Sequence, residues 1–283
     1  MCNLSVVYVT RNEEENIGDS LASLYDIADE IIVFDENSAD RTREIAKKYG
    51  AKVYKVPHEI NFHKTKRKAL SKATCKWILQ LDADERLSSE LRSEIVEVIN
   101  LSDADIRRRV FPEDRKKLFL RHQKILGYQK SDGREIAAFF IPRRNYFLGK
   151  PLRFGGAYPD GVIRLVKRGK AIFPAKHVHE QIDIDGGVSW LFNDLEHFDS
   201  PSLKRYLMRL NRYTDLHAVS LKKRKAPRNF VYLFYYSFLK AFLVFLSLYI
   251  RHKGFKDGIR GFLWSFFSAS HYTISYFKYW NMN

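Results

Sequence analysis

The chain has 283 residues, 45% of them hydrophobic, which suits one α/β domain plus an appended segment and excludes wholesale disorder. Its net charge of +16 is uneven: from Lys204 to Asn283 fifteen Lys and Arg face two acids, Asp215 and Asp257, so +13 lies there. Two cysteines, Cys2 and Cys75, are too few for a disulfide framework or a cysteine-built zinc site.

Leu4 to Val9 is a short, β-branched apolar run of the kind that forms a buried parallel strand. The segment around it, MCNLSVVYVTRNEEEN, lacks the basic flank of a signal peptide and runs into acids, so residence in the cytoplasm is expected. Ile17, Leu21 and Leu24 follow at helical spacing. Ile31 to Phe34 is a second strand ending at Asp35, and Ser38 or Asp40 can cap a helix that Gly50 stops. Lys52 to Val56 is a third strand, Lys64 to Ala73 a basic helix, and Trp77 to Leu81 a fourth strand ending at Asp82. Ser88 or Ser89 then caps a helix to about Ile99.

Strand and helix alternating over short connections imply a parallel sheet wound by right-handed crossovers. Such sheets bind ligands beyond the carboxyl ends of their strands. Polar clusters fall there: Thr10–Glu13, Asp35–Ser38 and Asp82–Glu85. Strand ends are polar in any such sheet, and that plain reading competes with a nucleotide ligand.

Beyond Leu101 a charged stretch to about Lys130 reads as a helix and a mobile loop. Ala138–Pro142 and Val162–Val166 read as strands, with a turn-rich stretch from Gly149 to Gly161 between them. Ser200 to Lys223 is an amphipathic helix starting at Ser200-Pro201. Phe230 to Ile250 has the length to span a bilayer, but Lys240 near its middle opposes a crossing. Gly261 to Trp280 is again aromatic. Aromatics flanked by Lys and Arg suit a membrane interface, so two helices lying in or entering one leaflet are expected. A transmembrane hairpin, or packing on the catalytic domain or a second subunit, are the alternatives. The division expected is 1–199 for catalysis and 200–283 for membrane association.

The sharpest chemical signal is Leu81-Asp82-Ala83-Asp84-Glu85. An apolar strand delivers two carboxylates, one residue apart, to its carboxyl end. Mg²⁺ or Mn²⁺ prefers such oxygens and can bridge the diphosphate of a nucleotide sugar, offsetting charge on the leaving nucleoside diphosphate. A lone Asp-x-Asp is common by chance or as a helix cap; the strand before it and the wound sheet add the weight. Asp35-Glu36-Asn37-Ser38 offers carboxylates to a uracil imide or a ribose. Lys64, Lys66, Arg67 and Lys68 supply positive charge near a diphosphate, although at least half of these four serve a solvated helix face.

VVYVTRNEEENIGDSLASL, EIIVFDENSADRT and KWILQLDADERL together resemble the amino-terminal half of family 2 glycosyltransferases. FFIPRRNYFLGKPLRFGGAYPDGVIRLVKRGKAIF, HVHEQI and the carboxyl-terminal KGFKDGIRGFLWSFFSASHYTISYFKYW resemble the subgroup that builds lipopolysaccharide cores. The resemblance implies an α/β protein with a nucleotide-binding GT-A sheet and inverting transfer. It places Thr10, Asn12 and Glu13 in the nucleoside pocket, and Glu36, with Asp35 beside it, against the uracil. Lys66 or Arg67 falls near the diphosphate. Asp82 and Asp84 match the metal motif, with Asp84 as direct ligand. Asp160 and Arg164 lie where the chain closes on the acceptor, with His179 also on the acceptor side. UDP rather than GDP rests on this resemblance alone.

Inversion needs a base for the acceptor hydroxyl, and a carboxylate within hydrogen-bond reach suits it. Glu180 is the first candidate and Asp160 the second. Glu180 could equally pair with Arg164, and His177 and His179 could ligate a metal, but no third ligand is evident.

The expected activity is transfer of a hexose such as glucose from a UDP-sugar to a membrane-anchored glycan. The expected place is the cytoplasmic face of the inner or plasma membrane, peripheral or monotopic, on an anionic surface. A polyprenyl-phosphate or protein acceptor is the second reading. A nucleotidyltransferase would show a glycine-rich phosphate loop near the first strand, and TRNEEEN is not one. No nucleic-acid partner is expected: the positive charge sits in a segment too apolar for a soluble arm, and no recognition motif occurs.

Overall fold

The computed structural model describes residues 2–59, 61–125, 135–174 and 182–282. The chain forms two compact units: Met1–Arg143 with Pro159–His197, and Arg144–Tyr158 with Phe198–Asn283. The expected loop before Lys130 extends into 126–134, and Glu180, His177 and His179 fall in 175–181; both stretches lie outside the described residues.

The first unit is built on β1 (Leu4–Thr10), β2 (Glu30–Asp35), β3 (Lys52–Lys55) and β4 (Trp77–Leu81). These pair in parallel in the order β3-β2-β1-β4. The helices α1 (Ile17–Ala22), α2 (Thr42–Lys48) and α3 (Phe62–Leu70) make the crossovers. Side chains alternate across the pleat. Leu4, Val6 and Tyr8 of β1 join Leu79 and Leu81 in a core with Ile17, Leu21, Leu91 and Ile95. Val7, Ile32 and Ile78 point the other way, onto Ala69 and Leu70 of α3. Covering both faces explains why β1 reads as a continuous apolar run; each such side chain contributes roughly 1.5–3 kcal/mol when fully buried.

Beyond β4 the sheet becomes mixed. β8 (Asp160–Lys167) runs antiparallel to β4, and β6 (Ile136–Phe147) antiparallel to β8. β12 (Leu195–Ser200) and β5 (Glu85–Leu87) complete the order. The short strands β7 (Lys150–Pro151), β9 (Ala171–Ile172), β10 (Asp183–Ile184) and β11 (Gly187–Trp190), and the helices α5 (Asp103–Arg108) and α6 (Glu113–Ile125), lie between these elements in the chain. α4 (Ser89–Asn100) starts where expected, the Ser88 hydroxyl accepting the Leu91 N–H at 3.1 Å. One start settles a choice and one differs from expectation. Of Ser38 and Asp40 it is Asp40 that serves α2, its Oδ1 accepting the Thr42 N–H at 3.0 Å, while the Ser38 hydroxyl donates to Asp35 and accepts the Asn12 N–H. α7 (Leu203–Lys223) is capped by Ser202 rather than begun at Ser200, which stays in β12. The two cysteines come together as one disulfide. Cys2 precedes β1 and Cys75 precedes β4, and pairing of those strands sets the Cα atoms 4.7 Å apart.

In the second unit, α7 buries Thr214, Ala218 and Leu221, the last two packing with Tyr276 and Tyr279. Those tyrosines belong to the helix Gly258–Trp280. Their hydroxyls donate to the carbonyls of Pro227 (2.7 Å) and Ala226 (2.5 Å). The helix Phe230–Arg251, 22 residues long and apolar enough to cross a membrane, contains two π-helical segments, Tyr235–Leu239 and Ser247–Arg251. The turn after it depends on glycine. A Cβ on Gly261 would stand 1.8 Å from the Gly254 carbonyl oxygen.

Candidate functional site

β2, β1 and β4 are neighbours, and their register pairs Thr10 with Asp35 and Tyr8 with Leu81. Their carboxyl ends therefore share one rim. Strands lie about 4.8 Å apart, so the backbones of Asp35 and Asp82 are roughly 10 Å from each other. That distance suits opposite ends of a nucleotide.

On the β2 side, Asp35 is fully buried. It accepts from the Ser38 N–H (2.9 Å), the Ser38 hydroxyl, the Thr10 hydroxyl (3.3 Å) and Arg43 Nη1 (2.8 Å). Glu36 is bound by the Thr65 hydroxyl (2.5 Å) and lies 2.7 Å from His58 Nδ1. Asn12 and Asn37 hold φ of 54° and 56°, the left-handed region that asparagine tolerates best among residues with side chains. Asn12 staples the loop after β1 to the one after β2: its N–H donates to Ser38 Oγ and its Oδ1 accepts the Ala39 N–H. The Glu13 carboxylate accepts from Asn16 Nδ2 and its N–H donates to Thr42. Thr10, Asn12, Glu13, Asp35 and Glu36 thus form one connected rim segment.

On the β4 side a chain of charges runs through Lys66, Asp82, Arg164, Glu85, Arg143 and Asp160. Asp82 Oδ1 accepts from Lys66 Nζ (2.7 Å) and Gln80 Nε2 (3.2 Å), and Oδ2 from Arg164 Nη2. Arg164 also donates to Gln80 (2.6 Å) and the buried Glu85 (2.7 Å). Arg143 grips Asp160 Oδ2 through Nε (2.9 Å) and Nη2 (2.5 Å) and reaches Glu85 at 3.4 Å. Three cations meet three carboxylates, so the network is neutral as it stands. Burial alone would raise the Asp82 carboxyl. The Arg164 and Lys66 charges outweigh it and hold Asp82 well below the ordinary carboxylate range. Burial pushes the Lys66 ammonium down, Arg164 adds to the push, and Asp82 opposes it. Of the two candidate cations on α3, Lys66 is buried in this network and Arg67 is exposed.

Asp84 lies two residues on, with Oδ2 3.7 Å from His197 Nε2. β12 brings the histidine there, since His197 pairs with Glu85 in the antiparallel register with β5. Ligands on adjacent octahedral positions of a Mg²⁺ ion are about 3 Å apart, given metal–oxygen distances near 2.1 Å. A carboxylate and an imidazole at this spacing fit such an ion with small movement. Asp82, with both oxygens clamped by cations, fits a direct ligand less well than Asp84. Among the described residues, Cys2, Asp29 and Cys75 also group as possible ligands, but at the opposite ends of the strands and with both sulfurs in the disulfide.

Sequence reasoning missed Gln80, Arg143 and His197, and named Glu85 in its motif without giving it a role. Gln80 is the one polar residue in WILQL, a signal that was legible. Arg143 and His197 sit in segments whose strand pairing the local pattern does not reveal.

The sequence pattern described as Glycosyl transferase family 2 matches residues 5–158. The chain is 29% identical over 266 residues to an uncharacterized glycosyltransferase of Rickettsia typhi, covering 92% of this chain and 82% of that one. It is 26% identical over 272 residues to the lipopolysaccharide core biosynthesis glycosyltransferase LpsC of Rhizobium meliloti, covering 92% and 85%. Among solved structures, Staphylococcus aureus TarS residues 1–349 is similar at 15% identity and a TM-score of 0.42, covering 98% of this chain and 88% of that one.

Proposed function

The chain belongs to glycosyl transferase family 2, and from that premise we propose that it moves a hexose such as glucose from a UDP-linked donor to a membrane-anchored glycan, with inversion at the anomeric carbon. The observation that carries the reading is the placing of Asp82 and Asp84 at the carboxyl end of β4, two strands from Asp35 and Glu36, with Lys66 and Arg164 against Asp82. LpsC is named for lipopolysaccharide core biosynthesis, which supports an acceptor of that class.

In this proposal Asp35 and Glu36, with Thr10, Asn12 and Glu13, hold the nucleoside. Lys66 and Arg164 face the diphosphate, with Arg67 outside the contact. Asp84, with His197 beside it, holds a Mg²⁺ or Mn²⁺ ion, and Asp82 is held next to it by its cations. The ion supplies charge neutralisation at the departing diphosphate. The protein's own cations add to this without reorganising, because the network already fixes them. Arg143 holds Asp160 Oδ2 through two hydrogen bonds, which favours Glu180 over Asp160 as the base for the acceptor hydroxyl, with His179 on the acceptor side. Inversion in one displacement needs no nucleophile from the chain.

The +13 charge from Lys204 onward and the apolar helix Phe230–Arg251 support attachment to an anionic membrane, on the cytoplasmic face where nucleotide sugars are made. The test is a panel of nucleotide sugars incubated with the full chain and Mn²⁺ or Mg²⁺, reading release of nucleoside diphosphate. Turnover of a UDP-hexose and of no GDP-sugar is expected; turnover of none, with any metal, rejects the proposal.

A further inference from the structure

The helix Phe230–Arg251 presents Phe230, Phe234, Phe238 and Phe242, all exposed, every fourth residue. On a regular α-helix a four-residue repeat drifts about 40° per step. The π-helical segment Tyr235–Leu239 is wider per turn and opposes that drift, so the stripe keeps to one side. Lys240 is off the stripe: its ammonium lies 4.6 Å from the Tyr236 ring centroid and 4.3 Å from that of Tyr272. The charge that argued against membrane insertion is turned toward the helix Gly258–Trp280 and covered by two aromatic faces.

Along the stripe the two helices leave a groove of about 490 Å³. Phe234, Phe238 and Phe242 form one wall, and Phe266, Ala269 and Thr273 the other. That volume is within the range of sites for a single small ligand. Cations stand at both ends of the apolar helix. Lys222, Lys223, Arg224, Lys225 and Arg228 precede it, Arg251 ends it, and Lys253, Lys256 and Arg260 follow. The first acid after Asp215 is Asp257, whose Oδ2 accepts the N–H groups of Arg153 and Phe154. A hairpin crossing the bilayer would carry the second basic cluster to the far side, against the retention of Lys and Arg on one face. Two basic ends and an apolar side between them match helices lying in the plane of one leaflet.

We infer that the groove seats one acyl chain of an anionic phospholipid, its headgroup held by the basic cluster at one end of the helix pair. This rests on the membrane attachment proposed above and adds a defined lipid site to it. The occupant is argued from the charge: anionic headgroups complement two largely exposed clusters of cations whose one carboxylate, Asp257, is taken up by backbone N–H groups.

The experiment uses the full chain with vesicles of phosphatidylglycerol and phosphatidylcholine carrying a trace of phosphatidylglycerol with a photoreactive acyl chain. Flotation reports membrane binding, and mass spectrometry maps the adducts. Adducts are expected in 234–245 and 266–273. Ala241 also lines the groove, and Ala241→Trp, which fills it from one wall, is expected to cut them at least fivefold while flotation is kept. Thr273→Trp does the same from the other wall and serves if the first variant does not fold. Adducts spread evenly over the helices, or unchanged in both folded variants, overturn the lipid site. So does equal labelling from a photoreactive phosphatidylcholine, or a stable dimer joined through this groove. Loss of flotation by the wild-type chain is a separate result and rejects the membrane attachment itself.

Discussion

Lys66 Nζ lies 2.7 Å from Asp82 Oδ1 while Arg164 holds the other oxygen of the same carboxylate. The first aspartate of the Asp-x-Asp pair is therefore a clamped anion. Lys66 and Arg164 are thereby held in fixed positions beside the proposed diphosphate site, within a network whose charges balance.

Replacing Lys66 with Met removes one charge-assisted bond of roughly 1.5–3 kcal/mol. We expect kcat/KM for the nucleotide sugar to fall about 10–100-fold, with the circular dichroism spectrum unchanged. Arg67→Met, altering the exposed neighbour, should leave kcat/KM within about twofold. Equal effects in the two variants would reject the assignment of Lys66.

Asp84 and His197 are expected to act on the metal rather than on the fold. Asp84→Ala should abolish transfer, and His197→Ala should raise the Mn²⁺ concentration for half-maximal activity by about tenfold or more. A metal titration of activity checks both.

Acid stability should depend on Glu30. Burial alone would raise its carboxyl, but the Lys52 ammonium, the Ser5 hydroxyl, and the N–H and hydroxyl of Thr74 bring it down to about 2. A depressed pKa contributes stability that is present above the ordinary carboxylate value, near 4.3, and is lost as pH falls from there toward 2. Glu30→Gln should lower the denaturant midpoint at pH 7 and flatten its decline across that window. An unchanged profile would show that Glu30 is not held as described.

Gly261→Ala tests the turn in the second unit. Its Cβ would meet the Gly254 carbonyl oxygen at 1.8 Å, so backbone must separate. We expect a loss of about 1–3 kcal/mol or more, seen as earlier thermal unfolding, with nucleotide binding retained.

The first four strands were legible because each is a short apolar run closed by a polar cluster, and burial on both faces writes that pattern directly. Asp82 and Asp84 were legible for the same reason, being where such a run stops. The remainder of the site depends on pairing between distant strands. Nothing local in FFIPRRNYF marks Arg143 as the partner of Asp160, because that contact comes from the antiparallel register of β6 and β8. His197 reaches Asp84 through the pairing of β12 with β5, a contact 113 residues apart in the chain. The cap of α7 was misplaced by two residues because Ser200 and Ser202 are chemically alike and only strand pairing retains the first. Lys240 carried opposite implications before and after folding, since its two aromatic covers come from two different helices.

The most direct test of the central claim is calorimetric titration of UDP into the wild-type chain and Asp84→Ala, each with and without Mn²⁺. The account predicts binding to the wild type that weakens at least tenfold when Mn²⁺ is withheld, and no such metal effect in a folded Asp84→Ala. UDP binding that is the same in all four titrations would contradict it.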